Sequence, residues 1–272
     1  MIDALSYDFM QHALAAAVLA SLACGLMGSL VVVNRLVFLA GGIAHAAYGG
    51  VGLSFFLGMP VIPTTVGFTL GASLLMGKLT LRRTDRSDTV VGVLWAAGMA
   101  LGILLLDLSP GYNVDLMSYL FGSIMAVPGE DVLAMAALDV LLLAVVAYNY
   151  QDFLCLSFDR EYARTAGVPV DRLHYLLLSL LGVSVVMIIQ VVGLILVIAL
   201  LTIPSRLAEY GAMSLAGMMV RASVYAMLFS LAGLWASYVL DVTAGAAIIA
   251  LAALTFFIVQ TLGWLRAALF RP

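Results

Sequence analysis

Charge is scarce in this sequence: only 10% of its 272 residues are Asp, Glu, Lys or Arg, 64% are hydrophobic, and the mean hydropathy is +1.16. A water-soluble globule of this size needs more polar surface, so the composition excludes a soluble enzyme or binding module and implies a chain built for lipid. There is a single lysine, Lys78. A phosphate-cradling loop needs the pattern GxxxxGK[ST], whereas here Gly77 precedes Lys78 but position 72 is Ala and Leu79 follows, so any ATP hydrolysis is expected from a separate subunit. Cysteine is limited to Cys24, in the first apolar run, and Cys155, in a charged loop; such a pair makes neither a disulfide framework nor a metal cluster. No Lys or Arg precedes Arg35, so the first apolar run lacks the basic flank of a signal peptide and is expected to stay in the mature protein. The net charge of −3 gives no reason to expect a nucleic-acid partner.

Long apolar runs are what the sequence has in abundance, and they predict an all-α, polytopic helical bundle of about 8–9 spans in a cell membrane, forming one domain over residues 1–272. The first runs from Phe9 to Val33 and the second from Val37 to Leu57; Gly58 to Pro63 reads as a turn into a third that ends near Lys78. A fourth covers Val90 to Leu106 and a fifth Val132 to Tyr150. Leu173 to Pro204 is long enough for two short spans reversing near Gln190 to Gly193, and Gly217–Leu240 and Gly245–Leu265 complete a count of nine. The segment Leu81–Asp88, with Arg82 and Arg83, and the charged loop at about 151–172 belong on the cytoplasmic side by the positive-inside rule. Asp107 to Asp131 carries acids and aromatics but no basic residue, which assigns it to the outer face.

Within the charged loop, Ser157 to Arg172 reads as a short amphipathic peg, with a helix from Phe158 to Gly167. Asp159 suits its cap, Asp159 and Glu161 its positive end, and Gly167 with Pro169 its stop. Phe158, Tyr162 and Ala166 share one face; Arg160 and Arg164, with Ala163 between them, fall on others. Such a helix either lies on the bilayer surface or is gripped by a soluble motor subunit.

An ionisable side chain inside a span is a functional candidate by default. His45 sits mid-span in LAGGIAHAAYGGVG, where small residues bring neighbouring helices close, and it either hydrogen-bonds across a helix contact or lines a cation pathway. Asp139 is the carboxylate placed comparably deep, and the two are expected to form a transient metal site if they meet. In the outer segment Tyr112, Asn113, Asp115 and Tyr119 are candidates for an outer gate or a partner surface.

Several separated segments together resemble a known family. FMQHALAAAVLASLACGLMGSLVVVNRLVFLAGGIAHAA, RSDTVVGVLWAAGMALGILLL, GYNVDLMSYLFGSIM, SFDREYARTAGVPVDRLHYLLLSLL and QVVGLILVIALLTIPSRLA are similar to the permeases of metal-ion importers of the ABC transporter class. The resemblance implies no tightly bound cofactor and a transported divalent ion, zinc first and manganese or iron as alternatives. It implies ATP used by cytoplasmic ATPase subunits that grip the peg as a coupling helix. An extracytoplasmic metal-binding protein and a second permease copy, identical or paired, complete the assembly it implies. Many members carry an acid four residues before the histidine of the second span; here that position is Gly41. A proton-coupled metal carrier, or a permease of the vitamin B12 and siderophore type, are the other readings.

Overall fold

The computed structural model describes residues 8–81, 87–109, 122, 124 and 127–269. These are helical with no strand among them, as an apolar environment requires, because a helix satisfies its backbone groups within one segment. The helices are α1 (Asp8–Val33), α2 (Val37–Leu57), α3 (Val61–Thr80), α4 (Ser87–Asp107), α5 (Gly129–Tyr148), α6 (Tyr150–Phe158), α7 (Arg160–Thr165), α8 (Val170–Val192), α9 (Leu194–Glu209), α10 (Leu215–Leu240) and α11 (Ala244–Leu269). Seven, namely α1, α2, α4, α5, α8, α10 and α11, are long and apolar enough to cross a bilayer. The protein is a multi-pass membrane protein of the cell membrane.

α3 and α9, counted as spans in the expected nine, fall outside these seven because they are more polar or shorter. α9 has 16 residues. Its first residue, Leu194, shares a small cavity with Tyr48 and Thr65, near the α2–α3 turn, while Ala208 at its far end packs with residues beside Val32 and Val33, at the other end of α1. The chain therefore reverses between α8 and α9, at Gly193, whose φ of 85° is a conformation that suits glycine. This is the hairpin expected near Gln190 to Gly193, although α9 runs on past Pro204.

Three boundaries differ from expectation. The α2–α3 turn is shorter: Gly58, at φ 64°, closes α2 by returning its N–H to Phe55, and α3 begins at Val61 with Pro63 in its first turn, where no intrahelical donor is lost. The fifth span, expected to reach Tyr150, stops at Tyr148; Asn149 caps it and a separate helix, α6, follows. Phe158 consequently closes α6 and does not begin the peg.

Packing divides the bundle. α2 packs chiefly on α4 and α3, while α1 packs chiefly on α10, α9 and α5; α8 lies between the two sets, touching α3, α2, α1 and α5. Glycine makes the tightest contacts possible: a methyl built on Gly98 of α4 would lie 2.7 Å from Ala46 Cα of α2, and one on Gly102 would lie 2.7 Å from Tyr48 Cδ1.

Candidate functional site

Close approach of α2 and α4 sets the surroundings of His45. Its ring lies on the indole of Trp95 from α4, with ring centroids 3.9 Å apart and planes inclined by 27°. Nδ1 is 2.8 Å from the carbonyl oxygen of Gly41, one turn earlier on α2. A carbonyl only accepts, so Nδ1 carries the proton and Nε2 of the neutral ring keeps its lone pair. That is the arrangement used by metal-binding histidines, whose second nitrogen is fixed by a hydrogen bond. The ring is half-buried, so it is not sealed in the core. Gly41 leaves space beside it: a Cβ there would have only Trp95 Cζ3 at 3.8 Å and Ile198 Cδ1 at 4.0 Å as neighbours.

Asp139 lies elsewhere. It is 4% exposed on the α5 face that packs on α1, within electrostatic reach of Cys24, and its Oδ2 has no hydrogen-bond partner among the described residues. α2 and α5 share no substantial contact face, so the structure does not bring His45 and Asp139 together. Among the described residues no group of three or more His, Cys, Asp or Glu side chains is placed to hold a metal. Glu209 pairs with Arg206 at the end of α9, and Asp241 closes α10 in a left-handed conformation, φ 53°; both have structural work at span ends.

The charged loop folds as two short helices, α6 and α7. Asp159 caps α7, its Oδ1 accepting from the N–H groups of Glu161 at 2.8 Å and Tyr162 at 3.0 Å, and the chain turns away at Gly167, φ 83°. Ala163 is buried, while Ala166 is exposed just beyond the last turn. Arg164 pairs with Glu161 at 3.5 Å and with Asp171 of α8 at 3.2 Å. Arg160 donates to Nδ1 of His174 on α8 at 3.3 Å. Burial first, and then the charge of Arg164, lower the pKa of Arg160 below the ordinary guanidinium value. The arginines therefore fasten the peg to α8, leaving the aromatics free: Phe158 is 90% exposed and Tyr162 62%.

Sequence reasoning missed three fastenings of this loop: His174 to Arg160, Asn34 to Ser157, and the hydroxyl of Tyr150, which accepts from the N–H of Ala216 at 3.1 Å. Only His174 carried a signal, as an ionisable residue close to the start of a span. The outer-segment candidates Tyr112, Asn113, Asp115 and Tyr119, and the basic loop with Arg82 and Arg83, lie outside the described residues.

Comparison with known proteins gives one consistent answer. The model of the ABC 3 transport family matches residues 6–263. An uncharacterized membrane protein of Synechocystis sp. is 46% identical over 258 residues, covering 95% of this chain and 92% of that protein. The manganese transport system membrane protein MntC of Listeria monocytogenes is 32% identical over 254 residues, covering 93% and 90%. Among solved structures, PsaBC from Streptococcus pneumoniae, in complex with Fab, superimposes with a TM-score of 0.85 at 32% identity, covering 94% of this chain and 93% of that one. With its reversing α8–α9 pair, its capped loop helix and a match over nearly its whole length, the chain belongs to the ABC 3 transport family, the metal-ion ABC permeases that its sequence resembles.

Proposed function

We propose that this chain is the membrane permease of an ATP-driven, binding-protein-dependent importer of a divalent transition metal ion. Two permeases form the pathway, cytoplasmic ATPases dock on α7 and an extracytoplasmic metal-binding protein delivers the ion. Manganese is favoured over zinc and iron because relatives matched over nine-tenths of this chain carry manganese transport in their names. The observation that carries the reading is the tie between Nδ1 of His45 and the Gly41 carbonyl, which leaves Nε2 as a single nitrogen ligand on a helix lined by small residues. One ligand, with water and backbone oxygens supplying the rest, holds an ion without trapping it.

A carrier driven by protons through His45 and Asp139 needs the two on one pathway, and their separate helix contacts do not support that. The deciding experiment reconstitutes the permease with its cognate ATPase and binding protein and measures uptake of radioactive manganese. ATP-dependent uptake that stops without the ATPase is the expected result; uptake driven by a pH gradient alone overturns the reading.

A further inference from the structure

We propose that Asn34 is the positioning residue through which movement of the coupling segment reaches α2, the helix that holds His45; the inference rests on the importer reading above. α1 and α2 are consecutive and joined only by Asn34, Arg35 and Leu36, yet they barely touch, because α2 packs with α3 and α4 and α1 with the other half of the bundle. The turn between them is therefore where the two halves meet covalently. Arg35 takes a left-handed conformation there, φ 57°, which is unfavourable for a residue other than glycine. Backbone bonds hold it: Arg35 N–H to Val32 at 3.1 Å and Leu36 N–H to Val31 at 2.8 Å. Because α2 starts at the next residue with Ala40 N–H bonded to Leu36, the end of α1, the turn and the foot of α2 are one stiff piece.

The amide of Asn34 joins this piece to the coupling segment. Nδ2 donates to the carbonyl of Leu30 at 2.8 Å and to Oγ of Ser157 at 2.9 Å, so one amide nitrogen bonds both α1 and the end of α6. Ser157 is followed by Phe158 and by Asp159, the cap of α7. The other side-chain fastenings of the segment lead away from α2: Arg160 and Arg164 to α8, Tyr150 to α10. Among the described residues the Asn34–Ser157 bond is the side-chain bond that connects it with the α1–α2 turn. From there His45 is about two helical turns away along a continuous helix. The contact also borders a cavity of about 470 Å³ lined by Arg35, Asp88, Phe158 and Arg160 among others, which leaves the segment room to move. A push on α7 thus arrives through this hydrogen bond at the end of α1 and, across the three-residue turn, at the start of α2.

The test uses the full permease with its ATPase, comparing Asn34→Ala, Ser157→Ala and Ser157→Thr, the last retaining the hydroxyl. Metal moved per ATP hydrolysed is expected to fall about fivefold in the two alanine variants, the scale of one lost hydrogen bond, and to return in Ser157→Thr. The ATPase should still co-purify with each. A cargo-independent measurement accompanies it: spin labels at positions 56 and 161, with Cys155 replaced by serine, should give one narrow distance with Asn34 present and a broad distribution in Asn34→Ala. Unchanged metal per ATP in both alanine variants overturns the proposal. If the unaltered complex moves no metal, the importer reading fails, and the label distance alone decides: a narrow distribution in Asn34→Ala then overturns the role of Asn34.

Discussion

The imidazole of His45 lies face-on against the indole of Trp95 at 3.9 Å, so the two helices that approach most closely in the bundle also fix the orientation of its one mid-span histidine. With Nδ1 held by Gly41, rotation of the ring is blocked from both sides and Nε2 has one direction to offer a passing ion. His45→Ala is expected to abolish metal uptake while leaving the complex assembled. Trp95→Ala should lower uptake less, because the Gly41 bond persists. Uptake of radioactive manganese by the reconstituted complex checks both; a His45→Ala variant at the wild-type rate makes the ring a packing group only.

Gly41 can be tested by introducing the acid that the family resemblance implies at this position. A Cβ at this position would meet Trp95 at 3.8 Å and Ile198 at 4.0 Å, ordinary van der Waals contact. Gly41→Asp should therefore fold normally and add an oxygen ligand one turn from His45. Manganese binding by the purified permease, titrated calorimetrically, is expected to tighten about tenfold or more, the scale of a charged partner in a partly buried site. An unchanged dissociation constant means that position 41 does not face the ion.

Asp139→Asn separates a packing role from a pathway role. The carboxyl is buried on the α5–α1 contact with one oxygen unpartnered among the described residues, so an amide of the same shape removes a group that is difficult to bury in charged form. Metal uptake should stay near the wild-type rate and thermal stability should hold or rise. Loss of uptake in an assembled complex would return Asp139 to the ion's route.

The spans, the α8–α9 hairpin and the cap on α7 were legible because each rests on local rules: an apolar run of set length, a glycine at a reversal, an aspartate before a short helix. The break at Asn149 was not, since Tyr148 and Tyr150 read equally well as span or interface and only packing against neighbouring helices decides between them. The distance between His45 and Asp139 was equally hidden. Depth in a span is written in one helix's sequence, but which face a helix turns toward another depends on the whole bundle. Likewise, nothing local marks Asn34 as the partner of Ser157, 123 residues away.

Two glycines of α4 should respond oppositely to substitution. A methyl on Gly98 meets Ala46 Cα at 2.7 Å, whereas one on Gly92 meets nothing within 4 Å. Gly98→Val is expected to cost about 1–3 kcal/mol by forcing α4 from α2. Gly92→Ala should be neutral or stabilise slightly, since alanine favours the helix. Melting temperatures of the purified permease compare the two, and equal values would mean that the α2–α4 contact is looser than the geometry states.

The final prediction concerns the exposed aromatics of the coupling segment. Phe158 and Tyr162 project from a segment in which Arg160 and Arg164 are engaged by its own chain, so the aromatics are the groups left unengaged for a partner. A helix merely resting on the bilayer would also expose aromatics, so the test must separate lipid from protein. Tyr162→Asp leaves the cap and the ion pairs intact and places a charge on the exposed face; it should abolish co-purification of the ATPase while the permease remains inserted. Asp159→Ala removes the cap, at a cost of about 1 kcal/mol to a helix of little more than one turn, and should weaken the same association. Asp159→Asn, which caps as well as aspartate, should restore it. Stoichiometric ATPase bound to Tyr162→Asp, with transport at the normal rate, would leave α7 as an interfacial helix and move the ATPase contact elsewhere.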